Sequence, residues 1–292
     1  MTLRYLHIIL TALLMGLLAC SGKNSGQEVP PVPADTLPDG IVSLTDAVRR
    51  GDAAAFAARV AYPLERTYPL PDITDSAHMQ AYYGTIVDDS LRKVITSASS
   101  SDWHAYGWRG YSLHDGEYLW YDEAGIYSIP YESATEKRLR QSIIDSDMAS
   151  LPESLRHGYT PDACFAENDG PGYVFRIDRA LSDTLADGSA RYRLCVYESV
   201  KSLGGEPSAI FYGSRRVEGT AAVPHYTFAS AHAVASRHAS SARPGISDAA
   251  GATVYPYTED GSPVTVTLTF AGGKTLDIPV EKAYWTTLTP NP

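Results

Sequence analysis

The feature that most constrains this chain lies at its start. Arg4 precedes an apolar run from Ile8 to Leu18, which ends in Leu17-Leu18-Ala19-Cys20. A positive n-region, a short apolar h-region and a small residue before the cut are the layout of a secretory signal peptide. Spanning a bilayer takes roughly 20 apolar residues, so this run is too short for a permanent helical anchor. Residues 1–19 are therefore expected to be removed, and the fold must form from the remaining residues, outside the cytoplasm.

The four residues Leu17-Leu18-Ala19-Cys20 resemble the bacterial lipobox. The resemblance to lipoproteins implies cleavage before Cys20, a diacylglyceryl group on its sulfur and acylation of the new amino terminus. Each buried methylene contributes ~0.8 kcal/mol, and stable anchoring takes more than one chain, so lipidation at Cys20 implies a lasting membrane tether. Residues 20–40 continue as SGKNSGQEVPPVPADTLPDG after the cysteine. Gly, Ser and Pro dominate, apolar periodicity is absent, and the stretch reads as a part-flexible, part-extended spacer. Acidic residues just after the cysteine, the surface-export pattern of related lipoproteins, are missing at Ser21-Gly22-Lys23-Asn24. An outer-membrane position facing the periplasm is therefore expected, with the cell surface as the alternative.

Charge and cysteines narrow the rest. The chain carries 34 acidic against 24 Lys and Arg side chains, a formal net charge of −10. Phosphate recognition draws on Lys and Arg, so nucleic acid is not an expected partner. After Cys20 only Cys164 and Cys195 remain. In an oxidising compartment they fit a disulfide, which would close a loop worth roughly 3 kcal/mol. They fit two separate buried thiols equally well.

The folded part reads as α+β, with helices packed on an antiparallel sheet followed by a β-rich module. The expected segments are an α+β domain at 41–150, a β-rich module at 151–232, a flexible connection at 233–252 and a C-terminal β-hairpin at 253–292. Ser43 with Asp46 fits a capping-box variant ahead of Leu44, Ala47 and Val48, and Asp52 can cap a second short helix. Met79, Tyr83, Ile86, Val87, Leu91, Val94 and Ile95 recur at helical spacing, predicting one long helix from Ser76 to Ser97 with Asp75 or Ser76 as its cap. Strands are predicted at Trp108–Leu113, Glu117–Tyr121 and Gly125–Tyr131, joined by turns at His114-Asp115-Gly116 and Glu123-Ala124-Gly125. A helix from Ala134 to Asp147 comes next. Further strands are expected at Tyr173–Asp178, Arg191–Tyr197, Ala209–Tyr212, Arg216–Gly219 and His225–Phe228. A last hairpin pairs Val264–Phe270 with Thr275–Val280 across Gly272-Gly273.

Two resemblances bear on this layout. AVRRGDAAAFAARV, at 47–60, resembles the first helices of nuclear-transport-factor-2-like (cystatin-like) α+β domains, where two short helices flank a Gly-Asp break and pack across a curved sheet. Such domains often hold small ligands in the sheet's concave face. The stretch from Tyr62 to Tyr131, with YPLERTYPL and DWHAYGWRGYSLHDGEYLW, resembles a block in uncharacterised exported bacterial proteins of the Bacteroidetes lipoprotein type. That second resemblance carries no activity.

The sequence carries little recognisable catalytic chemistry. HExxH, paired CxxC and EF-hand spacings are absent, as are GxSxG, P-loop and dinucleotide fingerprints, so no metal or cofactor is expected. His232 and His238 are two histidines without a third ligand. The acidic pairs Asp88-Asp89 and Asp122-Glu123 read as solvated neighbours. The densest concentration of binding-type side chains is aromatic. Trp103, Tyr106, Trp108, Tyr111, Tyr118, Trp120 and Tyr121 fall in one short stretch. Trp103, Trp108, Arg109, Tyr111, Tyr118 and Trp120 form the candidate binding surface, able to hold a sugar or peptide by stacking and hydrogen bonds. Because strand side chains alternate, part of this set must face the core.

The sequence therefore reads as a lipid-tethered, non-catalytic binding or accessory protein of the bacterial envelope, its partner an envelope protein or glycan. An envelope hydrolase and an inhibitor or immunity protein against an envelope-directed enzyme are the alternatives. The hydrolase would require paired carboxyls, or a Ser or His within reach of its orienting acid. The inhibitor would use its acidic charge to capture a basic target.

Overall fold

The computed structural model describes residues 37–168, 172–218, 223–232, 246–256 and 264–289. The expected signal peptide, Cys20, nearly all of the expected tether and His238 lie outside the described residues, as does the side chain of His232.

The chain is a mixture of helix and antiparallel sheet. Helix α1, Asp39–Arg50, buries Ile41, Leu44, Ala47 and Val48 on one face, the spacing that makes an amphipathic helix. It begins at Asp39 after Pro38, so Ser43 lies inside it rather than at its cap. Gly51 ends it in the left-handed conformation, φ 67°. Asp52 then caps α2, Ala53–Ala57, by accepting the Ala55 N–H at 2.9 Å.

The expected long helix is two helices. Asp75 caps α3, Ser76–Ile86, and Asp88 caps α4, Asp89–Ser97. The break comes at Val87, ψ 75°. Asp88 takes the Leu91 N–H at 2.9 Å, the local bond by which aspartate competes with helix continuation. Its carboxylate also accepts Tyr131 Oη at 2.9 Å. Asp88 is thus a capping residue rather than one of two solvated neighbours.

Four short strands come after them: β1 (Trp103–Ala105), β2 (Tyr111–Leu113), β3 (Leu119–Asp122) and β4 (Gly125–Ser128), paired antiparallel in that order. β1 was not foreseen, and Trp108 lies in the β1–β2 turn rather than in a strand. One hydrophobic cluster includes Ile41 and Leu44 of α1, Met79 of α3, Leu91 of α4, and Leu113, Leu119 and Ile126 of the strands.

The Pro-rich segment is tied down by a buried charge pair. Arg66 donates to both Glu136 carboxylate oxygens, at 2.9 and 2.7 Å, and to the carbonyls of Ile129 and Tyr131. Glu136 also completes a capping box with Ser133 at the start of α5, Ala134–Ala149. A short helix α6, Glu153–Arg156, leads into the second sheet.

That sheet is a closed barrel. Its strands are β5 (Tyr159–Glu167), β6 (Val174–Thr184), β7 (Ala190–Tyr197), β8 (Ala209–Glu218), β9 (Val223–His232), β10 (Ala249–Val254), β11 (Val264–Phe270) and β12 (Thr275–Lys282), in spatial order 10-11-12-5-6-7-8-9. Phe175, Ile177, Leu194, Val196, Phe211, Phe228, Val266, Leu268 and Ile278 share its apolar core. Gly213 lets β8 approach β9: a Cβ there would lie 1.9 Å from the Thr227 carbonyl oxygen.

The barrel corrects several expectations. The hairpin of 253–292 is no separate element, because β12 pairs with β5 and β11 with β10. Ala249–Ala252, assigned to a flexible connection, belong to β10, while 233–245 lie outside the described residues. Ala209–Tyr212 and Arg216–Gly219 were expected as two strands, but Ala209–Glu218 is one.

Part of the outward face of β5, β6 and β7 is itself buried, where Cys164, Val174, Cys195 and Tyr197 pack with Leu151, Leu155 and Trp285 in a seam. Trp285 opens α7, Trp285–Leu288, and its Nε1 donates to Ser150 Oγ at 2.8 Å. Nearby, Lys282 Nζ reaches both oxygens of Asp72, at 2.9 and 2.8 Å, and the Asp72 N–H donates to Tyr284 Oη. Among the described residues no helix is long and apolar enough to cross a membrane.

Candidate functional site

The outward face of the small sheet carries the site. Register places His104, Ser112, Trp120 and Ser128 opposite one another across β1 to β4, hence on one face. Trp103, Leu113 and Leu119 share the other face, which enters the core.

The β1–β2 turn projects Trp108. The Tyr106 N–H donates to the Gly110 carbonyl at 2.8 Å, and the Gly110 N–H to that of Gly107 at 3.0 Å. Gly110 has φ 77°, and a Cβ there would lie 2.2 Å from the Tyr121 carbonyl oxygen, so only glycine fits. Tyr127 Oη donates to the Arg109 carbonyl at 3.1 Å. The tip is therefore pinned at both ends while Trp108 itself is 88% exposed. The Arg109 guanidinium lies 5.1 Å from the Trp108 ring centroid, within cation–π range.

Behind the tip, Trp120 packs against Tyr106 at 5.1 Å and Tyr127 at 6.3 Å between ring centroids. The β2–β3 turn supplies the polar edge. His114 and Asp115 both have positive φ, and Gly116 comes next. A Cβ on Gly116 would meet the Trp120 indole at 2.6 Å, so its absence lets the ring lie over the turn. Asp115 Oδ1 contacts His104 Nδ1 at 2.6 Å and accepts Tyr106 Oη at 3.1 Å. The bond from His104, then that from Tyr106, holds the Asp115 carboxyl below its usual range. The His104 side chain is half exposed, and with Nδ1 bonded to a carboxylate it keeps Nε2 for a further partner.

The predicted surface thus divides. Trp108, Arg109 and Trp120 belong to this ledge. Trp103 does not: it is 5% exposed and part of the core cluster. Tyr111 and Tyr118 are half-buried and pack against that core, Tyr118 stacking on Tyr131 at 5.6 Å. His104, Asp115 and Tyr127 complete the ledge and were missed. The one available signal was the turn at Asp115, whose partner His104 becomes visible only once β1 is known to pair with β2.

Catalytic geometry is incomplete here. Ser112 faces His104 across the ladder, but its hydroxyl is buried and hydrogen-bonds to no described residue. Among the described residues no group of three or more His, Cys, Asp or Glu could hold a metal ion.

A second polar cluster fills the seam beside the barrel. Asp178 accepts Arg176 Nε at 2.8 Å and Arg193 Nε at 2.9 Å, and Arg176 lies over the Trp285 ring at 4.8 Å. Cys164 and Cys195 flank Arg176 on the neighbouring strands. Both are free and buried, so the disulfide open to them on sequence grounds is not formed. Two strand spacings of ~4.8 Å separate them, beyond the ~7 Å Cα limit for a bridge, and the Arg176 strand lies between. Burial pushes each thiol up to about 12, which makes both inert.

No protein-family model matches this chain, and no curated protein or solved structure matches it.

Proposed function

We propose that the chain is a non-catalytic binding or accessory protein of the bacterial envelope, held at the membrane through lipidated Cys20 and facing the periplasm. Its ligand surface is the aromatic ledge. The fold that goes with this reading lays the helices across the inner face of the small sheet, leaving the outer face for the ligand. The cluster shared by α1, α3, α4 and the strands supports that arrangement.

The observation that carries the proposal is Trp108. A tryptophan 88% exposed on a turn held by two backbone hydrogen bonds and a tyrosine hydroxyl forgoes burial that the core could supply. Large exposed apolar groups of this kind mark interaction sites, and a pinned display lowers the ordering cost of binding. Every described element lies within 37–289, so residues 27–292 retain them all. Pull-down with that fragment from the host envelope should capture a partner that Trp108→Ala and Trp120→Ala lose. Capture undiminished in both variants would rule out the ledge as the ligand surface.

A hydrolase is the second reading, favoured by the His104–Asp115 contact. It requires turnover of an envelope substrate that His104→Ala abolishes.

A further inference from the structure

We infer that the ledge is a glycan-binding site, with pyranose faces stacking on Trp108 and on the Tyr106–Trp120 pair while His104, Asp115 and Arg109 engage hydroxyls. The inference rests on the reading of the ledge as the ligand surface and names its ligand class.

Size argues first. A stable protein interface takes roughly 20–30 residues a side, with an apolar centre. The ledge consists of Tyr106, Trp108, Trp120 and Tyr127 with His104, Arg109 and Asp115. Of the large exposed hydrophobics among the described residues, only Tyr106 and Trp108 lie on it; Val42 is on α1, Leu181 on β6, and Tyr255 follows β10. That is too little for a protein partner's core and enough for a few sugar rings.

Shape argues next. A small apolar ligand needs a concavity that covers most of its surface, and a side chain as exposed as Trp108 cannot line one. An open platform suits a chain whose units bind by one face each. Nucleic acid, which also stacks on open aromatics, is opposed by the net charge of −10.

Chemistry completes the case. A pyranose has apolar C–H faces and vicinal hydroxyls around its rim, so it needs ring faces beside groups that both donate and accept. Both hydrogen bonds to Asp115 fall on Oδ1, leaving Oδ2 to accept from a ligand. His104 Nε2 and the Arg109 guanidinium stand on the same ledge. Because Tyr106 and His104 already hold Asp115, its carboxylate is fixed before the ligand arrives.

The test uses the full chain in a detergent without a sugar headgroup. Tryptophan fluorescence is titrated with cellohexaose, chitohexaose, mannohexaose and muramidase-solubilised peptidoglycan, and a broad glycan array is read in parallel. The expected result is saturable binding of at least one glycan, weakened tenfold or more by Trp108→Ala and severalfold by Asp115→Asn, both variants remaining folded. Equal binding by Trp108→Ala would overturn the assignment to the ledge. Silence on the array, with envelope capture of a protein still sensitive to Trp108, would overturn the glycan and leave the binding reading standing. Silence in both assays would remove both.

Discussion

Asp147 lies close enough to Arg176 to feel its charge, yet neither Asp147 oxygen, nor Nη1 of Arg176, hydrogen-bonds to any described residue. The two meet in the seam between α5 and the barrel, where Arg176 is occupied by Asp178 and Trp285. Asp147 is 1% exposed. Burial, only partly offset by Arg176, pushes its carboxyl up to about 6.

Stability should therefore depend on pH. An unfolded aspartate titrates near ~3.9, below the folded value, so the folded state holds this proton more tightly. The contribution is present in full below pH ~4 and is lost as pH rises through about 6. Carrying the carboxyl from ~3.9 to about 6 is worth about 3 kcal/mol in full. Asp147→Asn cannot titrate, so its stability relative to the native chain should rise by about 2 kcal/mol between pH 4 and pH 7 in urea unfolding. Parallel curves would show that Asp147 ionises freely.

The buried Arg66–Glu136 pair predicts a larger single-site effect. Removing one partner leaves an uncompensated buried charge, worth about 3–5 kcal/mol. Arg66→Ala should lower stability by that much, and Glu136→Gln, which retains hydrogen-bonding oxygen, by less. Thermal unfolding of the two variants checks the order.

The thiols at 164 and 195 should behave as core groups. Reductant should leave the melting temperature unchanged, and iodoacetamide should modify Cys164 and Cys195 only after denaturation. A drop in melting temperature with dithiothreitol would mean that a bridge contributes to stability.

Trp103 and Trp108 should separate cleanly. Trp103→Ala empties a core position and should cost about 3–5 kcal/mol. Trp108→Ala, at an exposed site, should stay within about 0.5 kcal/mol of native. Denaturant midpoints decide this, and they establish that loss of binding in Trp108→Ala is not loss of fold.

Local signals in the sequence were legible where the physics is local. Asp52 and Asp75 cap helices as expected, and the Gly272-Gly273 hairpin forms with both glycines at positive φ. Tertiary signals were not. Asp88 looked like one of two solvated acids because its bond to Tyr131 spans 43 residues. Strand β5 was missed because Pro161 lies within it beside an irregular register, and because its two-sided burial erases alternation. β6, with Val174 to Asp178 all buried, was expected at Tyr173–Asp178 and runs on to Thr184. Barrel closure rests on Val280 pairing with Glu167, a contact no local pattern records. At the site, the alternation rule divided the aromatic set in principle, but assigning Trp103 inward and Trp120 outward required the register.

The most direct test of the ledge as the ligand surface is a hydrogen-exchange footprint of the full chain with and without its host's envelope fraction. The expected result is slowed exchange at residues 103–128, centred on the Tyr106–Gly110 turn and the turn at Asp115, with the barrel strands unchanged. Protection confined to the barrel, or none at 103–128 while a partner is demonstrably bound, would contradict it.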